Sequence, residues 1–365
     1  MTEIRPLERR DIPAVARLFA LEWRGSEQAS DPELERFFES TLLDYPWADP
    51  ELPSLLAVDG DTVVGMIGSN VRRVVFDGRP LRMVCSAHLV SHPEARTRAI
   101  GARLMKALLA GPQDVTITDG ATDDVRRMWE AFGGASVGLG ALSFVRLFRP
   151  ASLATDLVLG RRSRRLAGSP LRFLPASVDG VARRAARRRL VPLPADCTSS
   201  ALTPEALVEH VGRITAGLRF HASYDVPYVT WLFDELARVE ARGTLWSEGV
   251  PRGRLWAELV EAGGTVAGWY VCHLRGAGFC RVLQFAAAPR GADVLFAQLS
   301  SRAEALGAAA LYGRLEPTLV APAVNAACHI RPSDGRLLVH SRDASLATAV
   351  RAGEALLTRM DGEWW

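Results

Sequence analysis

The sequence predicts an α/β chain of two domains, each with a mixed, mostly antiparallel sheet flanked by helices. Its 365 residues exceed the ordinary size of one domain. Asp-Gly pairs between strand-like runs are typical of hairpin turns. The second half also repeats the order of strands and helices found in the first half, which indicates a duplicated architecture. We therefore expect a first domain at residues 1–150, a connector at 151–195 and a second domain at 196–365.

The first domain begins with a strand, two helices and two hairpins. Apolar residues at helical spacing follow Asp11, which favours an N-capped helix, and the pattern repeats after Asp31. Two Asp-Gly turns then follow, each between runs of alternating strand-like residues. The predicted positions are a strand at 2–7, helices at 11–23 and 31–43, and hairpin turns at 59–61 and 77–78.

The rest of the first domain alternates strands and helices. A strand that ends near Ser91 passes through a short loop into a helix from about Ala99. A strand at 115–119 precedes a helix that begins near Thr122 and ends at Gly133-Gly134, since glycine commonly terminates helices. Short strands at about 135–138 and 142–148 are expected to complete this domain.

The second domain shows the same alternation. Thr203 caps a helix that carries Pro204 as its first residue, and a second helix covers 225–241. The remaining predicted elements are strands at 254–262, 265–275 and 280–288, a helix at 292–305, a strand at 309–314, a helix at 318–328 and a hairpin through Asp334-Gly335.

Composition excludes several protein classes. Hydrophobic residues make up 48% and charged residues 23% of the chain, which is ordinary for a globular protein. No apolar run reaches the roughly 20 residues that a membrane span needs, and the N-terminus is charged where a secretory signal would be apolar. We therefore expect a cytoplasmic protein with no membrane span. The five cysteines contain no C-x-x-C pair, so we expect buried free thiols and no metal site.

Positive charge is concentrated in the connector. Residues 161–190 hold ten arginines and the single acid Asp179, although the whole chain carries a net charge of only +3. The segment is interpreted as a solvated or acid-paired linker, as a contact for RNA such as tRNA, or as a contact for an anionic surface or acidic substrate. Lys106 is the only lysine in the chain, so a lysine-containing P-loop is excluded.

The junction after the strand ending near Ser91 has the pattern of an anion site. A helix start exposes backbone N–H groups that have no partner inside the helix, and the helix dipole adds partial positive charge there. Arg96 and Arg98 supply further positive charge beside these groups. Such a site suits a pyrophosphate.

This segment resembles the acyl-CoA-binding signature of the GNAT-type N-acetyltransferase superfamily. The signature reads Arg96-Thr97-Arg98-Ala99-Ile100-Gly101 and follows Ser91-His92-Pro93, with Ala99 in place of the first glycine and Ser91 in place of a valine. The resemblance implies a GNAT-like fold for each domain and binding of acetyl-CoA or another acyl-CoA. The implied cofactor-binding residues are Leu89, Ser91, Arg96, Arg98, Ala99, Ile100, Gly101, Ala102 and Thr122.

A second segment, from Thr122 to Gly133, is similar to a helix of the same superfamily. Thr122 stands where the family often has an asparagine near the pantetheine arm. Trp129 replaces the tyrosine that often protonates the departing thiolate, so the resemblance implies that another group or water protonates CoA here.

Acylation of an amine also requires a base, or a water path, that removes a proton from an ammonium group. His88, on the strand before the signature, has the ordinary pKa range for this task, and Glu94 at the end of that strand is the other candidate. Main-chain N–H groups of the same strand are expected to polarise the thioester carbonyl. The alternatives are a hydrogen-bonded core histidine and a solvent-facing loop charge.

The second domain is interpreted as a degenerate copy of the first, because residues 284–291 occupy the equivalent junction without the full signature. Arg314 and Glu316 at a strand end, with Tyr224 and Asp225, are candidates for a polar wall that binds substrate between the domains. An ion pair with packed aromatic residues is the alternative.

The sequence therefore predicts an acyl-CoA-dependent N-acyltransferase that moves an acetyl or other acyl group to a small primary amine by direct attack in a ternary complex, without a metal. One alternative is a Fem-like aminoacyl-tRNA-dependent transferase, which the basic connector supports. The other is a non-catalytic acyl-CoA-binding protein, which Trp129 supports.

Overall fold

The computed structural model describes residues 2–24, 31–151, 179–180, 184, 187–242, 253–275 and 278–364. Its strands, in chain order, are β1 (Glu3–Pro6), β2 (Leu55–Asp59), β3 (Thr62–Phe76), β4 (Arg79–Ser91), β5 (Val115–Ala121), β6 (Ala135–Ser136), β7 (Leu142–Leu147), β8 (Thr198–Ala201), β9 (Phe220–Ala222), β10 (Gly253–Ala262), β11 (Thr265–Arg275), β12 (Phe279–Ala287), β13 (Ala310–Arg314), β14 (His329–Pro332), β15 (Arg336–Ser341) and β16 (Ala355–Leu356).

Helices lie between these strands, and all except the last lie at positions that the sequence pattern predicts. They are α1 (Ile12–Arg24), α2 (Pro32–Leu42), α3 (Ile100–Leu109), α4 (Asp123–Ala131), α5 (Pro204–Ile214), α6 (Val226–Arg242), α7 (Ala292–Ala305), α8 (Pro317–Asn325) and α9 (Ala344–Ala352). Among the helices of the described residues, none has the length and hydropathy to cross a membrane.

The chain forms two compact units, each built on one sheet. Unit 1 comprises Met1–Ala141, Gly217–Val250 and Asp334–Trp365, and unit 2 comprises Leu142–Ala216 and Pro251–Ser333. The nine-stranded sheet of unit 1 has the order β1-β2-β3-β4-β5-β15-β6, with β9 beside β3 and β16 beside β9. The seven-stranded sheet of unit 2 has the order β14-β7-β13-β12-β11-β10-β8. The predicted fold class is confirmed.

The hairpins predicted from the Asp-Gly pairs are present. β2 pairs with β3 around Gly60, and β3 pairs with β4 around Asp77 and Gly78. Both residues of the second turn have positive φ, 49° for Asp77 and 77° for Gly78, which is the backbone that a tight hairpin requires. These local signals therefore predict the antiparallel core of the first sheet.

The two sheets repeat one arrangement. In unit 1, β4 is antiparallel to β3 and parallel to β5. In unit 2, β12 is antiparallel to β11 and parallel to β13. Helix α3 connects the first parallel pair and α7 connects the second, as parallel neighbours require. The shared strand arrangement is consistent with the predicted duplication.

The compact units do not follow the predicted boundaries, because each sheet takes strands from the other half of the sequence: β9, β15 and β16 join the sheet of unit 1, and β7 joins that of unit 2. β7, expected to complete the first domain, pairs with β13 and β14 in unit 2. β15, expected to form a hairpin with β14, pairs instead with β5 and β6 in unit 1. In each unit the incoming strand covers an edge that would otherwise remain unpaired.

The predicted hairpin through Asp334-Gly335 is therefore wrong. A side-chain carbon at Gly335 would lie 2.9 Å from the carbonyl oxygen of Asp119 and 3.0 Å from Cα of Gly120. The glycine thus permits a close approach to the end of β5, which the sequence pattern cannot distinguish from a turn.

Candidate functional site

The candidate site lies in unit 1 where β4 and β5 diverge. Their parallel pairing runs from Met83 opposite Val115 to Cys85 opposite Ile117 and then stops. Beyond this point a cavity of about 290 Å³ opens between the strands. It is lined by Phe19 of α1, residues 86–89 of β4, Met105 of α3, Thr118, Gly120 and Ala121 of β5, Thr122 and Val125 at the start of α4, and Arg359 and Glu363 near the C-terminus.

A β-bulge shapes the β4 wall of this cavity. Gly68 pairs with Ala87 and Met66 with Val90, so that His88 and Leu89 together face one residue of β3. His88 has a φ of 54°, which is uncommon for a residue other than glycine. Bulges interrupt the regular ladder and re-aim main-chain groups, often beside active sites. The bulge residues His88 and Leu89 line the cavity, and the role of their main-chain N–H groups as donors to the thioester carbonyl stays a prediction.

His88 lies at the cavity, but its surroundings disfavour the predicted role as base. Its ring meets Phe19, Phe37 and Phe38 edge-on, with centroid distances of 5.6, 5.8 and 5.4 Å. Burial lowers the pKa of His88 to about 3. An imidazole with so low a pKa is neutral near pH 7 and is a weak acceptor for a proton from an ammonium group.

Glu94 is exposed on the turn Pro93–Arg98 that follows β4, and it is not among the residues that line the cavity. A carboxylate in that position remains in water. The turn leads directly to Ala99, which precedes the first residue of α3. Its placement thus matches the solvent-facing alternative.

The start of α3 has the backbone of an anion site. The first intrahelical bond runs from the N–H of Arg103 to the carbonyl of Ala99, at 3.0 Å. The amides of Ile100, Gly101 and Ala102 therefore precede the hydrogen-bond ladder of the helix. A side-chain carbon at Gly101 would meet nothing closer than Leu89, at 3.9 Å. The side chains of Arg96 and Arg98 lie outside the described part of the structure.

The other predicted cofactor-binding residues lie on both sides of the divergence. Leu89 lines the cavity, and Ser91 is the last residue of β4. Thr122 also lines the cavity, while its hydroxyl caps α4 by accepting a hydrogen bond from the N–H of Val125 at 3.4 Å. Trp129, by contrast, is fully buried and does not line the cavity.

Ala99 occupies a position that favours glycine, because its φ is 54°. We expect Ala99→Gly to raise the free energy of unfolding by about 1 kcal/mol, since a left-handed backbone is costly for alanine. Ala102→Gly, in the first turn of the same helix, should instead lower it by about 1 kcal/mol. Urea unfolding of both variants measures the difference, and a loss of stability in Ala99→Gly would contradict the strain argument.

A polar cluster that the sequence analysis missed contributes Thr118, Arg359 and Glu363 to the lining of the cavity. The carboxylate of Glu363 accepts hydrogen bonds from the hydroxyl of Thr118 at 2.8 Å and the N–H of Gly120 at 3.1 Å. The carboxylate of Asp119 accepts a hydrogen bond from the N–H of Glu363 at 2.8 Å and forms an ion pair with Arg359 at 3.4 Å. Burial and the neighbouring Asp119 raise the pKa of Glu363 to about 7.

The predicted substrate-binding residues are divided between the two units. Tyr224 and Asp225 belong to unit 1, whereas Arg314 and Glu316 belong to unit 2. The Tyr224 hydroxyl donates a hydrogen bond to Asp361. Asp225 accepts a hydrogen bond from the indole N–H of Trp47 at 2.8 Å.

In unit 2, Arg314 and Glu316 are both buried and form an ion pair at 4.0 Å. The four residues therefore match the alternative of ion pairs and packed aromatic groups.

The corresponding divergence in unit 2 is filled by side chains. β12 and β13 pair as far as Val282 opposite Gly313. Gln284 and Phe285, which follow in β12, are fully buried, and Gln284 accepts the indole N–H of Trp269 at 2.7 Å. A side-chain carbon at Gly291, before α7, would lie 2.4 Å from the carbonyl oxygen of Ala267. This packing agrees with the interpretation of residues 284–291 as a degenerate copy.

Comparisons with known proteins find similarities in sequence and in fold. Residues 3–114 match a family model described as an acetyltransferase (GNAT) domain. A comparison with curated proteins found no significant match. The chain resembles a GCN5-related N-acetyltransferase from Kribbella flavida, with a TM-score of 0.55 and 16% identity over 94% of this chain and 72% of that chain.

A similar likeness is found to a GCN5-related N-acetyltransferase from Anabaena variabilis, with a TM-score of 0.57 and 10% identity over 93% of this chain and 73% of that chain. At such low identities these structures show the fold. The resemblance of residues 3–114 to a GNAT domain is thus confirmed, and the chain shares the fold of these N-acetyltransferases.

Proposed function

We propose that the chain is an acyl-CoA-dependent N-acyltransferase that moves an acetyl or other acyl group to a small primary amine by direct attack in a ternary complex. The observation that carries this proposal is the cavity between the diverging ends of β4 and β5, because β4 also leads through the turn Pro93–Arg98 into the first residues of α3. Acyl-CoA supplies the activated acyl group as a thioester.

The residues present fit such a substrate. The amides of Ile100, Gly101 and Ala102 face an anion with the positive end of the helix dipole, which suits the pyrophosphate. The bulge at His88 and Leu89 supplies main-chain donors for the thioester carbonyl. Apolar side chains, including Phe19 and Met105, line the cavity, which suits an acyl chain and excludes water.

The thiolate of CoA receives its proton from water in this proposal. Trp129 has no acidic hydroxyl, and it is packed under Gly134 away from the cavity. A thiol with a reference pKa of about 8.5 is a good leaving group that needs little help from an acid. The absence of a tyrosine at this position is thus compatible with turnover.

Calorimetric titration with acetyl-CoA, free CoA and octanoyl-CoA tests the proposal. We expect one site per chain and abolished binding in Gly101→Trp, because the indole would cover the amides at the start of α3. The control is Gly212→Trp in α5 of unit 2, where a side-chain carbon meets nothing within 4 Å. Unchanged affinity in Gly101→Trp would contradict the assignment of the phosphate site.

The two alternatives predict different results. A non-catalytic binding protein would bind acetyl-CoA without releasing thiol in the presence of any amine. A Fem-like transferase would not require CoA and would bind tRNA with an affinity that falls steeply as the salt concentration rises. Residues 161–190, the segment expected to contact RNA, lie largely outside the described residues, so no contact of the structure favours that alternative.

A further inference from the structure

Glu363 is held by hydrogen bonds at the point where β5 diverges from β4. Its carboxylate accepts the hydrogen bonds of Thr118 and Gly120, and its own N–H donates to Asp119 at 2.8 Å. The neighbouring Trp364 is fully buried, which anchors the segment in the interior of unit 1. The side chain reaches the same cavity that the β4 bulge lines from the opposite strand.

The charges around Glu363 favour a cation. Asp119 on β5 and Arg359 in the C-terminal segment form an ion pair beside it. From β4, Cys85 faces this cluster as a neutral thiol, because burial raises its pKa well above the ordinary value. Further away, Arg72 of β3 is fully buried and interacts electrostatically with Asp361. These groups together leave one excess negative charge when Glu363 is ionised.

We propose that Glu363 is the catalytic base of this site and that its acceptor substrate is a primary amine that arrives as an ammonium ion. This inference rests on the proposed function. Thr118 and the Gly120 amide act as positioning groups that hold the carboxylate at the cavity. Asp119 adds negative charge that attracts the ammonium group, while Arg359 keeps the pair of carboxylates from excessive repulsion.

The proton and bond changes balance as follows. One proton of the ammonium group passes to the Glu363 carboxylate, which leaves a neutral amine with a free electron pair. The nitrogen attacks the thioester carbonyl carbon, a C–N bond forms, and the C–S bond breaks. The second proton lost from nitrogen reaches the thiolate through water, giving the amide and CoA. Glu363 then releases its proton to solvent.

The ionisation of Glu363 also suits a general base. A pKa of about 7 places the carboxyl near the pH at which proton transfer in both directions is efficient. Because only the ionised form accepts a proton, kcat should fall as the pH drops below about 7. The hydrogen bond from Thr118 favours the ionised form, so removing it should move this midpoint to higher pH.

The test compares Glu363→Gln with wild type in calorimetry and in thiol release from acetyl-CoA with n-butylamine or spermidine. We expect unchanged acetyl-CoA affinity, a kcat lower by about 100-fold or more, and loss of the acidic limb of the pH profile. The matched control is Glu354→Gln, an exposed residue in the same C-terminal part of unit 1. It should retain wild-type turnover.

Two further readouts separate a base from a structural residue. With trifluoroethylamine, which is already neutral at about pH 8, the ratio of wild-type to Glu363→Gln turnover should shrink by at least tenfold, because no ammonium proton must be removed. Thr118→Val, which keeps the carboxylate, should shift the acidic limb of the profile to higher pH without abolishing activity.

The outcomes distinguish this inference from the proposed function. Failure of the wild-type chain to bind acetyl-CoA overturns the proposed function and the role of Glu363 with it. Binding without thiol release on addition of these amines overturns the cationic acceptor. Wild-type kcat and an intact acidic limb in Glu363→Gln overturn the assignment of the base while leaving acyl-CoA binding in place.

Discussion

Trp129→Ala is expected to lower the free energy of unfolding by about 3–5 kcal/mol, the ordinary cost of removing a large aromatic side chain from a core. Trp129 is fully buried in α4. Its ring fills the space beside Gly134 so closely that a side-chain carbon there would lie 1.9 Å from Cδ1 of the indole. Urea unfolding followed by circular dichroism measures the loss.

The same substitution should weaken acyl-CoA binding, because Thr122 and Val125 at the start of α4 line the cavity. Trp129→Phe is the control: it keeps an aromatic ring and removes an indole N–H that has no hydrogen-bond partner among the described residues. We expect a smaller loss of stability for this variant. A Trp129→Ala variant within about 1 kcal/mol of wild type would contradict the packing argument.

Local sequence signals predicted the elements of the fold well, because their causes are local. Asp77-Gly78 specifies a tight turn through its two positive φ angles, whatever the rest of the chain does. Gly133, with a φ of 88°, likewise ends α4 in the left-handed backbone that favours glycine. The pairing of strands is different, because it depends on which distant edges need a partner.

The exchange of strands could not be predicted for that reason. β7 and β15 have ordinary strand patterns, and neither pattern indicates which sheet the strand joins. Assigning Tyr224 and Asp225 to the second domain was an error with the same origin, since residues 217–250 return to unit 1.

The candidate site was predicted in part. The signature from Arg96 to Gly101 placed the start of α3 correctly, because a phosphate site depends on a short contiguous segment. Glu363 was missed, because it follows Asp119 by more than 240 residues and reaches it only through the fold. The available signal was Asp119 itself, an acidic residue near the end of a strand that the neighbouring strand leaves uncovered.

Glu363→Gln should also stabilise the protein at alkaline pH. The pKa of Glu363 rises from 4.5 to about 7 on folding. Between pH 4.5 and about pH 7, the carboxyl is therefore protonated in the folded state and ionised in the unfolded state. Stability from this group is complete below about pH 4.5, falls as the pH rises and is fully lost above about pH 7. A shift of this size corresponds to about 3 kcal/mol, which glutamine avoids because it does not ionise.

Guanidinium unfolding of wild type and variant at about pH 5 and about pH 9 measures this effect, with Glu354→Gln as the exposed control. We expect the advantage of Glu363→Gln to grow between the two pH values, whereas a difference independent of pH would show that the carboxyl does not ionise inside the fold. A buried carboxylate that costs stability at neutral pH is not explained by packing. Loss of turnover in the same variant would link that cost to catalysis, since active sites commonly retain groups that stability alone would remove.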